Sequence, residues 1–182
     1  MPRVAKSIDK IAFIGMMGAG KTFCAKTLAK KLHWRDLDSD VIIERREKMS
    51  IPQIFRNKGE SYFRTVESRV IKDLLVKPQT VLSLGGGVVC RKVNRSLLKK
   101  KSFVIWLKAK PEVIHKRTSK SANRPLLNVE DPKSKINEII KERDNFYRQC
   151  AHVVVVNNGG NVLAKLARIP QIRSMMRGNK QN

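Results

Sequence analysis

The sequence predicts an α/β fold, a three-layer sandwich in which helices cover both faces of a five-stranded parallel sheet. Two observations carry this expectation. Short, unbroken apolar runs recur along the chain, as suits strands buried on both faces. Between them lie stretches with apolar residues every three or four positions, the period of amphipathic helices. Strands that alternate with helices join into a parallel sheet through right-handed crossovers, and ligands then sit beyond the strands' carboxyl ends.

The elements follow in order. KIAFIG, residues 10–15, is a short strand ending in glycine, and KTFCAKTLAKKL, 21–32, has the spacing of a helix. WRDLD, 34–38, is a second strand, and VIIERREKM, 41–49, a helix with Ser39 or Asp40 as its cap. SIPQIF opens another helix, with Ser50 as cap and a proline in the first turn. From Glu60 to Val76 the residues Phe63, Val66, Val70 and Leu74 define a long amphipathic helix. TVLSLGGGVV, 80–89, is a buried strand that runs into three glycines; SFVIWL, 102–107, and HVVVV, 152–156, are further strands. The polar segment 118–132, TSKSANRPLLNVEDP, interrupts the pattern for longer than an ordinary connection and is expected to be a lid or a disordered segment. The basic tail from 171 continues no pattern and is expected to fray.

Composition bounds the rest. A chain of 182 residues with 41% hydrophobic content is expected to form a single domain, despite a formal charge of +24. No apolar run reaches the length of a membrane span, and a cytoplasmic, monomeric protein is expected. Cys24, Cys90 and Cys150 are odd in number and scattered, which fits reduced thiols without a role. Aromatic content of 5% gives no stacking platform for single strands, so specific nucleic-acid binding is not expected.

GMMGAGKT, 15–22, fits G-x-x-x-x-G-K-[ST] between a strand and a helix, the setting that this phosphate-binding motif requires. Backbone N–H groups and the positive end of the helix face an anion there. The nucleotide site is therefore read as Gly18, Ala19, Gly20, Lys21, Thr22 and Phe23, with Lys21 on the β and γ phosphates of ATP and Thr22 on Mg²⁺. Asp38 and Asp40 stand out in a chain with few acids. If both close the second strand, alternation points them the same way, toward a metal and an acceptor hydroxyl; as plain helix caps they would carry no chemistry.

A small acid is the expected second ligand. Arg143 lies on the apolar face set by Ile136, Ile140 and Tyr147, where a guanidinium either snorkels or meets a buried anion. Arg64 and Glu67 share a helix side, as a surface ion pair or as an arginine held for another purpose. Gly85, Gly86 and Gly87 let a ligand approach the backbone.

In content, order and spacing, GMMGAGKT, DSD, IPQIF…GE…FRTVE, SLGGGVV, RPLL and ERDNFY resemble the shikimate kinase family over residues 10–157. The resemblance implies a P-loop kinase fold with a substrate-binding helical region and a lid over 118–132. It implies transfer of the ATP γ-phosphoryl group to the 3-hydroxyl of shikimate, on the route to the aromatic amino acids. It casts Asp40 as the residue that binds the hydroxyls and accepts the proton, Asp38 as organiser of Mg²⁺, and Arg64 and Arg143 as the carboxylate clamp buttressed by Glu67. Gly86 and its neighbours become the backbone floor, Arg124 the lid arginine over the γ-phosphate, and Arg117 the arginine against adenine. Two departures stand out: Cys24 and Ala25 follow the phosphate loop, and Asn157 and Asn158 occupy the place of a basic residue near adenine. Two rival readings remain, a related kinase acting on gluconate or a nucleoside monophosphate, and a basic P-loop protein that binds RNA.

Overall fold

The computed structural model describes residues 8–119, 125–127 and 129–178. Its sheet has five parallel strands in the order β2-β3-β1-β4-β5, where β1 is Lys10–Ile14, β2 Arg35–Asp38, β3 Thr80–Ser83, β4 Phe103–Lys108 and β5 Val153–Val156. Strand β3 is inserted between β1 and β2, so the loops after these three strands open side by side at one end of the sheet.

Period-two alternation sorts the strand residues into two cores. Ile11 and Phe13 face one side, where they meet Leu28 and Leu32 of α1 (Lys21–Leu32), and α5 (Pro111–Thr118) packs there through Ile114. Ala12 and Ile14 face the other, against Val70 and Ile71 of α3 (Ile51–Leu74) and Leu98 of α4 (Lys92–Lys101). Helix α6 (Pro132–Cys150) reaches both, through Ile136 on one side and Tyr147 on the other. Cys24 and Ala25 lie fully inside the first core, so that departure is absorbed by helix packing; all three cysteines are free thiols.

Several boundaries differ from the sequence reading. The helix placed at 41–49 is α2, Ser39–Glu47, and its cap is Asp38, whose carboxylate accepts the Asp40 N–H at 3.0 Å. Asp40 therefore lies in the first turn of a helix, not on the strand; the short side chain of Asp38 ends β2 and starts α2 in one step. The two helices expected around residue 59 form one bent element, α3, with Gly59 at φ 80° and ψ 167°. Its start carries a full capping box, Ser50 with Gln53. The tail expected to fray is helical over 171–178, as part of α8 (Pro170–Gly178), which follows α7 (Val162–Ala167). Ile172 is fully buried and Met175 and Met176 pack on the first core, a helical spacing that the surrounding arginines mask in the sequence. Of the proposed lid, Pro125–Leu127 forms a 3₁₀ turn and Asp131 caps α6, while 120–124 and 128 lie outside the described residues.

Candidate functional site

The loops at the carboxyl ends of β1, β2 and β3 converge on one cleft of about 650 Å³. Its nucleotide side is the turn between β1 and α1. Gly20 caps α1 in the left-handed region, φ 95°, and a Cβ there would fall 2.7 Å from the Asn157 amide nitrogen. Lys21 folds back over the loop and donates to the carbonyls of Gly15 at 2.9 Å and Met16 at 3.1 Å, which holds its ammonium group against the turn. Gly18, Gly20, Lys21, Thr22 and Phe23 all line the cleft. Ala19 is fully buried and contributes backbone alone, its carbonyl accepting from Asn157 Nδ2 at 2.8 Å.

Hard oxygen atoms gather beside the lysine. Thr22 Oγ1 donates to Asp38 Oδ2 at 3.0 Å and lies 3.2 Å from Ser83 Oγ. Asp38 and Asp40 both line the cleft even though only Asp38 belongs to the strand. Ser39, between them, is fully buried and accepts the Gly85 N–H at 3.0 Å, which joins the start of α2 to the glycine turn.

The opposite wall is cationic. Arg64 and Arg143 are 7% and 6% exposed and line the same cleft, which excludes a surface ion pair. Arg64 donates to Glu67 Oε2 at 3.0 Å and, through Nε and Nη2, to Glu60 Oε1 at 3.1 and 2.9 Å. Burial pushes the Glu67 carboxyl up to about 7, against the pull of Arg64. Glu67 Oε1 and the Arg143 Nε and Nη1 atoms are buried with no hydrogen-bond partner among the described residues. Buried guanidinium donors left without hydrogen bonds are costly, so a ligand anion that meets them gains strongly.

The glycine turn forms the floor. A Cβ on Gly85 would lie 2.6 Å from Asp40 Oδ1, and one on Gly87 would collide with the Arg64 guanidinium. Gly86 packs against the backbone at Met17, and Tyr147 donates to its carbonyl at 2.5 Å. Phe55 and Phe63, 4.9 Å apart between ring centroids, close the apolar rim with Ile51 and Pro52.

Sequence reasoning passed over Ser39, Ser83 and Tyr147. Ser83 stands two residues before Gly85 and Tyr147 one helical turn after Arg143, so each had a positional signal near a residue already singled out. Arg117 lines the cleft but donates to the Gly18 and Asn157 carbonyls, at 3.1 and 3.2 Å. Asn157 spends its side chain on the loop, and Asn158 Oδ1 accepts the Lys110 N–H. Arg124 lies outside the described residues.

Fold and site define a class, the P-loop kinases, in which a phosphate-wrapping turn faces an acceptor pocket within a single cleft. Comparison with known proteins narrows it. The family profile described as shikimate kinase matches residues 17–171. A shikimate kinase of Burkholderia thailandensis is 43% identical over 145 residues, 80% of this chain and 79% of the relative. One of Neisseria gonorrhoeae is 43% identical over 146 residues, 80% and 86% of the two chains. Among solved structures, shikimate kinase from Acinetobacter baumannii in complex with shikimate superposes with a TM-score of 0.86 at 38% identity and covers 97% of both chains. Shikimate kinase from Aquifex aeolicus gives 0.77 at 31%, covering 94% of this chain and 98% of the other. The chain belongs to the shikimate kinase family. It is an ATP-using phosphotransferase, as the motifs implied.

Proposed function

We propose that this enzyme transfers the γ-phosphoryl group of ATP to the 3-hydroxyl of shikimate, yielding shikimate 3-phosphate and ADP for aromatic amino-acid biosynthesis. The observation that carries the reading is Arg143, a buried guanidinium with two nitrogens that have no hydrogen-bond partner among the described residues, in the same cleft as the phosphate-binding turn. A ligand that is anionic at one end and hydroxylated at the other fits between Arg143 and Asp40.

Arg143 and Arg64 receive the substrate carboxylate, with Glu60 and Glu67 holding Arg64 in place. The Gly85–Gly87 floor and the phenylalanine rim seat the ring. Asp40 accepts a hydrogen bond from the 3-hydroxyl and takes its proton as that oxygen bonds to the γ-phosphorus and the bond to the β,γ-bridging oxygen breaks. Lys21, the N–H groups from Gly18 to Phe23 and the N-terminus of α1 stabilise the charge that moves onto the phosphate oxygens.

The Thr22 hydroxyl and Asp38 carboxylate, within 3.0 Å of each other, have the oxygen chemistry that Mg²⁺ prefers. Among the described residues no three His, Cys, Asp or Glu side chains gather as a metal site, so these two residues would hold the ion alongside phosphate and water. Bound there, Mg²⁺ would supply charge neutralisation for the phosphate oxygens. Arg124 is proposed from its NRPLL motif as the lid arginine over the γ-phosphate, and Arg117 as the side chain against adenine. One chain supplies both walls of the cleft, which supports a monomer. The use of ATP fits a cytoplasmic location; among the described residues no helix is long and apolar enough to cross a membrane.

The test is ADP release measured with shikimate, gluconate and nucleoside monophosphates as acceptors. Shikimate is expected to be the preferred acceptor by kcat/KM, and its 3-phosphate the product. Preference for gluconate or a nucleotide overturns the reading.

A further inference from the structure

We propose that the face built by α1, α7 and α8 docks the phosphodiester backbone of a nucleic acid without reading its bases. The three helices pack on one another, and their inner sides join one core through Leu28, Leu166 and Ile172. Their outer sides expose Lys26, Lys30, Lys31, Arg168, Arg173 and Arg177. None of these six forms an ion pair among the described residues. The sequence explains why: α1 contains no acid, and no Asp or Glu follows Asp144.

Cations on α4 are only in part used differently: Arg91, its cap, donates to Thr65, Arg95 to the Val89 and Cys90 carbonyls, and Lys99 to the Gln149 carbonyl. Lys92, Lys100 and Lys101 form no ion pair among the described residues, so α4 is the matched comparison. A helix dipole favours Lys30 and Lys31 in the last turn of α1. It gives no reason for acids to be missing from two further helices of the same face. Like charges left together, with their ion-pair partners removed, are the footprint of a polyanion.

The chemistry selects among polyanions. An anionic membrane binds amphipathic helices by taking up their apolar side, but Ile172, Met175 and Met176 of α8 are already committed to the core. An acidic protein surface needs apolar anchors at its centre, and α7 and α8 expose no large apolar side chain. Helices α7 and α8 also carry no aromatic residue, and the one exposed aromatic of α1, Phe23, lines the nucleotide cleft, so bases have little to stack on across this face. Flexible lysines and arginines on a convex surface meet phosphates, and do so in any sequence. None of the six lines the cleft, so the surface is available while the enzyme turns over.

The experiment titrates the full-length protein into labelled single-stranded RNA, into a DNA duplex of equal length and into phosphatidylserine vesicles, each over a salt series. Two variants are compared with the starting protein: Lys30→Glu/Arg168→Glu/Arg173→Glu on the face, and Lys92→Glu/Lys100→Glu/Lys101→Glu on α4, which changes net charge equally. Unmodified protein is expected to bind nucleic acid with Kd of about 10⁻⁴ to 10⁻⁶ M near physiological salt, and the face variant to lose about 10-fold or more with a shallower salt slope. The α4 variant should stay within about 3-fold, and both should keep the acceptor kinetics of the unmodified protein. If the face variant loses activity, the corresponding Lys30→Gln/Arg168→Gln/Arg173→Gln protein, which should show the same direction, replaces it. The RNA and duplex arms identify the nucleic acid. Equal losses in both variants, no loss in either, no measurable binding by the unmodified protein, or vesicle binding stronger than nucleic-acid binding overturns the proposal.

Discussion

Glu67 has a carboxyl oxygen bonded to Arg64 and another without a hydrogen-bond partner among the described residues, and burial pushes its pKa up to about 7 from 4.5. A carboxyl raised in this way binds its proton more tightly in the folded chain than in the unfolded one. Its contribution to stability is therefore complete below about 4.5 and is lost as pH rises through about 7. The same proton tunes the clamp: neutral Glu67 leaves the guanidinium pair with less compensating charge, so the shikimate KM should rise as pH increases through about 7. Glu67→Gln keeps the neutral form and should flatten that bend, and an unaltered bend in the variant refutes the assignment to Glu67. Arg143→Ala removes charge-assisted bonds of about 1.5–3 kcal/mol each, so KM for shikimate should rise at least ~10-fold with little change for ATP. An unchanged shikimate KM would show that Arg143 does not hold the carboxylate. Arg143 and the two aspartates stood out because each broke a pattern, an arginine on an apolar face and two acids in a basic chain, whereas the Arg64–Glu67 spacing read equally well as a surface ion pair. Ser39, Ser83 and Tyr147 broke none, and the distances that give them partners arise only when β3 lies between β1 and β2.

At the scale of elements, the strands and α1 were legible because their apolar periods are strong, and the bounds of α1 agree to the residue. The junctions were not. Asp38 ends a strand and caps a helix at once, a double use that alternation does not reveal, and Asp40 reaches the cleft from the helix. Gly59 bends α3 with φ 80° and ψ 167°, a region open almost solely to glycine. The segment before the bend supplies Ile51, Pro52 and Phe55 to the cleft, and the segment after it Phe63, Arg64 and Glu67. A Cβ at Gly59 would meet no neighbour, so the penalty in Gly59→Ala comes from the backbone alone, about 1–3 kcal/mol. Denaturant unfolding should show a lower midpoint, and the shikimate KM should rise more than the ATP KM because the two half-helices lose their relative angle. A variant as stable as the parent with the same KM would mean that the bend is not needed.

For the whole molecule, the sandwich and its cleft followed from the order of elements, whereas the docked tail did not, since its arginines hide the Ile172, Met175 and Met176 stripe. Those arginines belong to the charge of +24, which steering of ATP and shikimate does not by itself require. Charge of one sign works against compaction, and with acids concentrated around the cleft and α6, the α1–α7–α8 layer experiences the repulsion without local relief. Screening should therefore stabilise the fold: raising NaCl from about 10 to 200 mM shortens the Debye length from ~30 to under ~10 Å and should raise Tm by a few degrees. The gain should shrink in the Lys30→Glu/Arg168→Glu/Arg173→Glu variant, which lowers repulsion within that layer, and persist with Lys21→Ala, which removes the phosphate-loop lysine as an anion site. If Lys21→Ala abolishes the salt response, the stabilisation comes from chloride in the nucleotide site and not from relief of self-repulsion. If Tm falls with salt, attraction between the few acids and their neighbours outweighs repulsion, and the basic face is held by contacts stronger than its own charge.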